Sequence, residues 1–463
     1  MLTNRRQFLE RAGLGFGWVA ANAMSAPAPH FAPSAKNVIF LFMHGGPSHL
    51  DTFDPKPELT KLHGKHVPES FGHVQLQFSK FNESVVIASR RKFQKYGQSG
   101  IEVADTFPHL AKQVDKIALI RSMYHDGFTH TAALNLFNNG WPRLGRPSVG
   151  SWVTYGLGSE SQNLPAFVVM LDGGIKCGPV AYGSGFLPAR YQGTTFRDGT
   201  SPILNLHPPD NMAGGRQREM LDELKWFNEQ HQKTREDESA LDARISSYEL
   251  AFRMQMAAPE LGDISKESEV TKKLYGIDNE TTADFAGKCL MARRLVERGV
   301  RYVQVWSGGT TGEGDWDGHK QCDKNHVKQA AKTDQPVAAL LQDLAARGLL
   351  DTTLVVWGGE FGRTPTSDGG MNGGGDPEGR DHNPYGFSIW MAGGGIKGGQ
   401  VIGRTDEIGL RAIEYPVHVH DLHASMLHLL GLDHTKLTYR FQGRDFRLTD
   451  VHGKTDLVGK LRG

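Results

Sequence analysis

Cysteine is scarce: Cys177, Cys289 and Cys322 are the only three in 463 residues. So few, so scattered and with no Cys-x-x-Cys pair, they exclude a disulfide framework and a cysteine-built zinc knuckle. Net charge is missing too, because 52 Lys and Arg face 51 Asp and Glu. No global field draws in nucleic acid or an anionic membrane, so an acidic substrate must be attracted by a local site. Long apolar runs are absent. The stretch from Ala12 to Ala23 is short and diluted by Gly13, Gly15 and Gly17, which argues against a stable membrane span. The glycine-rich stretches "DGGMNGGGDPEGRD" and "AGGGIKGGQ" lack the strand-Gly-helix order of a dinucleotide site or phosphate loop.

Strands and helices alternate. "NVIFLFM" (37–43), "KIALIRS" (116–122), "AFVVML" (166–171), "RYVQVW" (301–306), "TLVVW" (353–357) and "FSIWM" (387–391) are short apolar runs, predicting strands covered on both faces. "DQPVAALLQDLAARG" sets Val337, Leu340, Leu341 and Leu344 on one helical stripe stopped by Gly348, and "ADFAGKCLMARRLVERG" does the same with Cys289, Ala292 and Val296 before Gly299. The expected fold class is α/β, a mainly parallel central sheet with helices on both faces. The charged, strand-free segment 211–298 reads as a helical insertion or cap. The main domain is placed at 36–450, with 451–463 as a C-terminal tail.

Histidine is abundant, at twenty residues. Ligands of a parallel sheet bind beyond the carboxyl ends of its strands, and polar clusters fall in those places. After the first strand comes "HGGPSHLDTFDPKP", with His44, His49, Asp51 and Asp54. After "RYVQVW" comes "DWDGHKQCDKNH", with Asp315, Asp317 and His319. After "TLVVW" comes "GGEFGRTP", with Glu360 and Arg363, and "GRDHNP", with Asp381 and His382, precedes the next strand. Carboxylates and imidazoles are the donors of a divalent ion, zinc or manganese before magnesium or calcium. Each cluster also has a plainer reading: a lone histidine bonds a backbone carbonyl, acidic loop residues are solvated, and Asp-Pro and Asp-Gly pairs make turns. In "HVHDLHASMLHLLGL", His418, His420 and Asp421 read as cap or supporting residues of a helix whose core face is Met426, Leu427, Leu429 and Leu430. Cys322 reads as a buried inert thiol.

The N-terminal "TNRRQFLERAGLGFGWVAANAMSAPA", with Arg5, Arg6, Phe8 and Leu9, resembles a twin-arginine export signal. That resemblance implies a signal and linker over 1–35, the twin-arginine translocase as a partner during export, and a periplasmic or extracellular protein. "DWDGHK" resembles the Asp-x-x-x-His metal motif of the alkaline phosphatase superfamily. "TLVVWGGEFG" resembles the superfamily's next strand, which ends in Asp-His-Gly, and "DLHASMLHLLGL" is similar to its closing helix. Together with the leader, "MHGGPSHLDTFDPKP", "ARRLVERGVRYVQVW", "WDGH", "GEFGRTP" and "GRDHNP" resemble the bacterial domain-of-unknown-function family numbered 1501, grouped with sulfatases and phosphatases by fold.

The resemblance implies an alkaline phosphatase-like fold and a site holding one or two divalent ions. By position, His319 matches the histidine of the first metal, Asp315 or Asp317 its aspartate, and His382 the late histidine. Glu360 stands where the second metal has Asp, Phe361 where it has His, and His44, with Asp51 beyond it, where the opening strand ends in Asp. "THTAALNLFNNGWPR" has the shape of the nucleophile helix, which puts Thr129 or His130 at the attacking position. Arg363 or Arg121 would balance transition-state charge. The implied function is exported, metal-dependent hydrolysis of phosphate or sulfate esters, on a small-molecule or polysaccharide substrate. A polysaccharide sulfatase and a non-catalytic binding or surface protein remain as alternatives; the formylglycine pattern Cys/Ser-x-Pro-x-Arg is missing.

Overall fold

In the computed structural model, residues 28–72, 74–76, 80–197, 215–232, 248–255, 260–309, 314–369 and 375–463 are described. Of the segment expected to be a signal and linker (1–35), residues 1–27 lie outside them. Asn37–Met43 (β1) is buried at every position, as a strand covered on both faces must be. The other strands of the main sheet are Ile117–Tyr124 (β2), Phe167–Met170 (β3), Thr194–Phe196 (β4), Tyr302–Ser307 (β5), Thr353–Gly358 (β6), Phe387–Ala392 (β7), Gln400–Ile402 (β8) and Val417–His418 (β9). Among the described residues these nine form one sheet, ordered β8-β2-β7-β6-β1-β5-β3-β4, with β9 also on β2. All six runs read as strands are strands. The three unforeseen ones, β4, β8 and β9, are two or three residues long, too short to show a period.

Pairings are parallel throughout except at β7, which runs antiparallel to both β2 and β6. That one reversal matters for function. It brings the start of β7 to the same edge as the ends of its neighbours, so residues preceding β7 meet residues following β1, β5 and β6.

Alternation along β1 divides the core. Ile39, Leu41 and Met43 join one layer with Ala283–Glu297 (α3) and Cys322–Ala346 (α4). Val38, Phe40 and Phe42 join the other with His130–Asn139 (α1), Val149–Leu157 (α2), Val419–Leu429 (α5) and Asp456–Arg462 (α6). The structure is therefore α/β with helices on both faces. Among the described residues no helix is long and apolar enough to cross a membrane.

Three details differ from the sequence reading. The helix read from Asp334 starts at Cys322 and runs through Pro336. Asp334 lies inside it, and its carboxylate accepts from the backbone N–H groups of His109 at 2.8 Å and Leu110 at 2.7 Å. Within 211–298, the described helices include Gly215–Gln232, Glu269–Tyr275 and α3, residues 248–255 and 260–262 are helical too, and α3 belongs to the core layer. Residues 451–463 carry α6, whose Leu457, Val458 and Leu461 are buried in the core, so this segment is packed structure.

Leu341 is fully buried in α4. Leu341→Ala is expected to cost about 2–5 kcal/mol, from lost burial and the cavity left behind. A urea titration showing no drop in midpoint contradicts this packing.

Candidate metal centre

Past Met43 the chain turns at Gly45, with φ +109°, and any side chain there would collide with the loop after β5. A Cβ would lie 2.5 Å from the Asp317 backbone nitrogen, so glycine is the residue that fits. The Gly45 N–H donates to both oxygens of Glu360, at 3.1 and 3.2 Å. Its carbonyl accepts from Arg363. The ends of β1, β5 and β6 are thereby tied to one point.

The loop after β5 is anchored by Trp316, which is fully buried. Its ring stacks with Phe107 at 6.4 Å and meets Trp357 edge-on at 6.3 Å. Its backbone N–H donates to the His44 carbonyl at 2.8 Å. From α4, Asn325 and Gln329 donate to the Asp315 carbonyl at 2.9 and 3.0 Å. With the indole held in the core, Asp317 is presented at the strand-end edge.

There His130, Asp317, His319 and His382 place donor atoms within 4.8 Å of one another. The three imidazoles are oriented the same way. His130 Nδ1 lies 2.7 Å from Glu360 Oε1, His319 Nδ1 lies 2.7 Å from Asp368 Oδ2, and His382 Nδ1 lies 3.0 Å from the Phe128 carbonyl. Each partner is an oxygen acceptor, so each Nδ1 donates. Three Nε2 atoms are then left to face Asp317. His130 Nε2 is 2.9 Å from Oδ2, and His319 and His382 Nε2 are 3.3 and 3.8 Å from Oδ1. His319 and His382 Nε2 approach each other to 2.8 Å. Two imidazole nitrogens that close need a proton or a metal ion between them.

Burial lowers the pKa of His382 well below its ordinary value, helped by His130 beside it, and burial likewise lowers His44. Neutral imidazole is the form that ligates. Burial alone would raise Asp317, but the Arg363 guanidinium and the imidazoles outweigh it and hold the carboxylate well below its usual range. Asp317 and His319 keep 20% and 22% of their side chains exposed while His382 is at 0%, so the cluster is open on one side.

Not every expected residue joins the cluster. Asp51 pairs with Arg380 Nε at 3.0 Å and Ser48 Oγ at 2.5 Å, both buried, and is no member of the donor group. Arg363 is fully buried, and its donors reach Asp317 Oδ1 at 2.7 Å, Gly46 O at 3.0 Å, Arg380 O at 3.1 Å and Gly45 O. Four of its five N–H donors are taken up in this way, and it positions Asp317 from within the core. Arg121 faces Asp54 at 3.7 Å and Glu102 at 3.8 Å. Glu360 supports His130, and Asp315 Oδ2 faces Lys176 Nζ at 3.2 Å and His44 Nδ1 at 3.8 Å. Thr129 is the N-cap of α1 and makes no side-chain capping bond. It lines a cavity of about 250 Å³ with Phe128, Leu136 and Trp141, which no member of the donor group reaches.

Two participants escaped the sequence reading, Lys176 and Asp368. Lys176 follows β3, a strand end like the others, and that position was the available signal. Asp368 sits in the loop after Arg363. Phe361 stacks on His382, centroids 4.2 Å apart. In "DWDGHKQCDKNH" the second histidine, His326, is structural: it donates to the Cys322 carbonyl at 2.8 Å and accepts from Ser48 N at 2.7 Å. His418 and Asp421 form a capping box on α5, as expected of cap residues.

Residues 35–458 match the family described as "Protein of unknown function (DUF1501)". The chain belongs to the DUF1501 family. No curated protein matches this DUF1501 chain. Solved structures similar to it include the PsFucS1 sulfatase from Pseudoalteromonas sp., 12% identical, TM-score 0.34, over 93% of this chain and 72% of that one. The alkaline phosphatase from the Antarctic bacterium TAB5 is 10% identical, TM-score 0.37, over 86% and 99%. The lipoteichoic acid synthase LtaP from Listeria monocytogenes is 8% identical, TM-score 0.35, over 90% and 76%.

Burial raises the pKa of Asp51, but Arg380 and the Ser48 hydroxyl outweigh it, so the net shift is downward. A depressed carboxylate stabilises the fold above its unfolded pKa, about 3.9, and that contribution is lost as pH falls through the folded value. Asp51→Asn is expected to cost about 3–5 kcal/mol at pH 7 by leaving Arg380 buried and unpaired, and to flatten the stability profile below about pH 4. Equal acid sensitivity in both proteins would refute this pairing.

Proposed function

We propose that the DUF1501 chain is an exported, metal-dependent hydrolase of phosphate or sulfate esters. The observation that carries this reading is the common orientation of His130, His319 and His382, each anchored through Nδ1 to an oxygen acceptor with Nε2 turned to Asp317. Metal-ligating histidines are held in this way, by a carboxylate or carbonyl on the second nitrogen. The donor set fits a zinc- or manganese-type ion. Asp317, His319 and His382 would hold it, with His130 as the fourth donor within reach. Such an ion, when bound, polarises an ester oxygen and lowers the pKa of an attacking hydroxyl.

The chain's own residues do the rest. Asp368 and the Phe128 carbonyl fix two imidazoles, Glu360 fixes the third, and Arg363 keeps Asp317 ionised and in place. Thr129, next to His130 at the start of α1, is the hydroxyl proposed to attack the ester, from the cavity it lines rather than from within the donor group. The leader supports export by the twin-arginine route to the periplasm or beyond, and a polysaccharide sulfate ester is one substrate consistent with that location. A non-catalytic binding role is favoured by Phe361, which presents a ring where a second-metal histidine would stand.

Metal content by mass spectrometry, on protein purified without chelator or affinity nickel, is the direct check. About one zinc or manganese ion per chain is expected in the wild type, and loss of it in both His319→Ala and His382→Ala. Metal retained in both variants would rule out this centre. On any ester the wild type turns over, Thr129→Ala is expected to lower kcat at least a hundredfold, roughly the contribution expected of an essential group. Full turnover would remove Thr129 as nucleophile.

A further inference from the structure

The two oxygens of Asp317 serve different partners. Oδ1 faces the His319–His382 pair, at 3.3 and 3.8 Å. Oδ2 faces His130 Nε2 at 2.9 Å and Lys176 Nζ at 2.6 Å. Lys176 Nζ is also 3.1 Å from His130 Nε2 and 3.2 Å from Asp315 Oδ2. An ammonium has three N–H donors. Here it meets two carboxylate oxygens and one imidazole nitrogen, the ligand types of a divalent ion. One carboxylate thus joins two cation positions of similar composition, and the chain fills one of them itself.

Lys176 is held there from behind. His44 Nε2 accepts from the Lys176 backbone N–H at 3.4 Å. The His44 proton therefore lies on Nδ1, which is buried without a hydrogen-bond partner and lies 3.8 Å from Asp315 Oδ2. The imidazole expected to be a ligand instead braces the Lys176 loop beside Asp315. The Lys176 side chain keeps 22% of its surface exposed, so its charge also faces the open side of the cluster.

We propose that the Lys176 ammonium is a built-in replacement for a second metal ion, and that the protein takes a single divalent ion at Asp317, His319 and His382. This rests on the metal-centre reading above. It gives His130 a different duty from the other two histidines: with Nδ1 on Glu360, its Nε2 lies beside the Lys176–Asp317 ion pair, 3.1 Å from Lys176 Nζ and 2.9 Å from Asp317 Oδ2. The site would then carry one mobile divalent charge and one covalently tethered charge, both on the same carboxylate.

The test is metal stoichiometry and affinity on the full chain, stripped with chelator and reloaded with zinc or manganese alone. One equivalent is expected in the wild type. Lys176→Glu supplies a carboxylate in place of the ammonium and is expected to bind two. Lys176→Met removes the charge with little change of shape; it is expected to bind one ion about tenfold more tightly, because a cation repelling the metal across a few ångströms is gone. A lysine that only bolstered the loop would weaken binding when removed, so the sign of the change discriminates. Melting temperatures in chelator establish that each variant is folded. Two equivalents in the wild type overturn the inference and leave the metal centre standing. So does one equivalent in Lys176→Glu together with no tightening in Lys176→Met. No metal in the wild type overturns both.

Discussion

The Asp317 carboxylate is the charge on which this site depends. It is mostly buried, and an ionised carboxylate taken out of water must be paired or it protonates. Arg363 and Lys176 lie within 2.7 Å of it, and three imidazole Nε2 atoms within 3.8 Å. Each of those partners needs its own support: Glu360 for His130, Asp368 for His319, a backbone carbonyl for His382, and three further carbonyls for Arg363. Satisfying one buried charge therefore organises most of the strand-end edge. The network also explains why Arg363, which sequence reasoning placed opposite a transition state, is a positioning residue.

Holding that carboxylate in place is a matter of backbone as much as side chain. Gly45 admits the Asp317 main chain to a distance no other residue would permit, and Trp316 drives its indole into the core so that its neighbour faces outward. The cluster draws on loops from β1, β2, β3, β5 and β6 and on the segment before β7. Only because β7 is reversed does His382 arrive at the same edge as His319.

The many histidines sort themselves by what their nitrogens touch. His49, His125, His420 and His423 each donate to a backbone carbonyl of a different segment, and His326 locks the start of α4 to Ser48. These are structural bonds between distant loops. His130, His319 and His382 differ in that their second nitrogens converge. Spacing along the chain does not separate the two groups, since His319 and His326 share one short polar stretch.

Sequence alone determined the strands and the long helices, because a strand buried on both faces must be apolar at nearly every position and a core helix must be apolar at helical spacing. It also determined that the ligand-type residues follow successive strands, which parallel connections place at one edge. His319, His382 and Asp317 were legible for that reason, whereas His130 was reached only through the resemblance of its helix to a nucleophile helix. Tertiary structure decided the rest. The antiparallel β7 and the short edge strands depend on long-range pairing that leaves no local pattern. Asp51 and Glu360 read alike as acidic loop residues, and only the arrival of Arg380 at one and His130 at the other distinguished them. Lys176 had no signal beyond its place after β3, because the meaning of a single lysine lies in the carboxylates that distant segments fold around it.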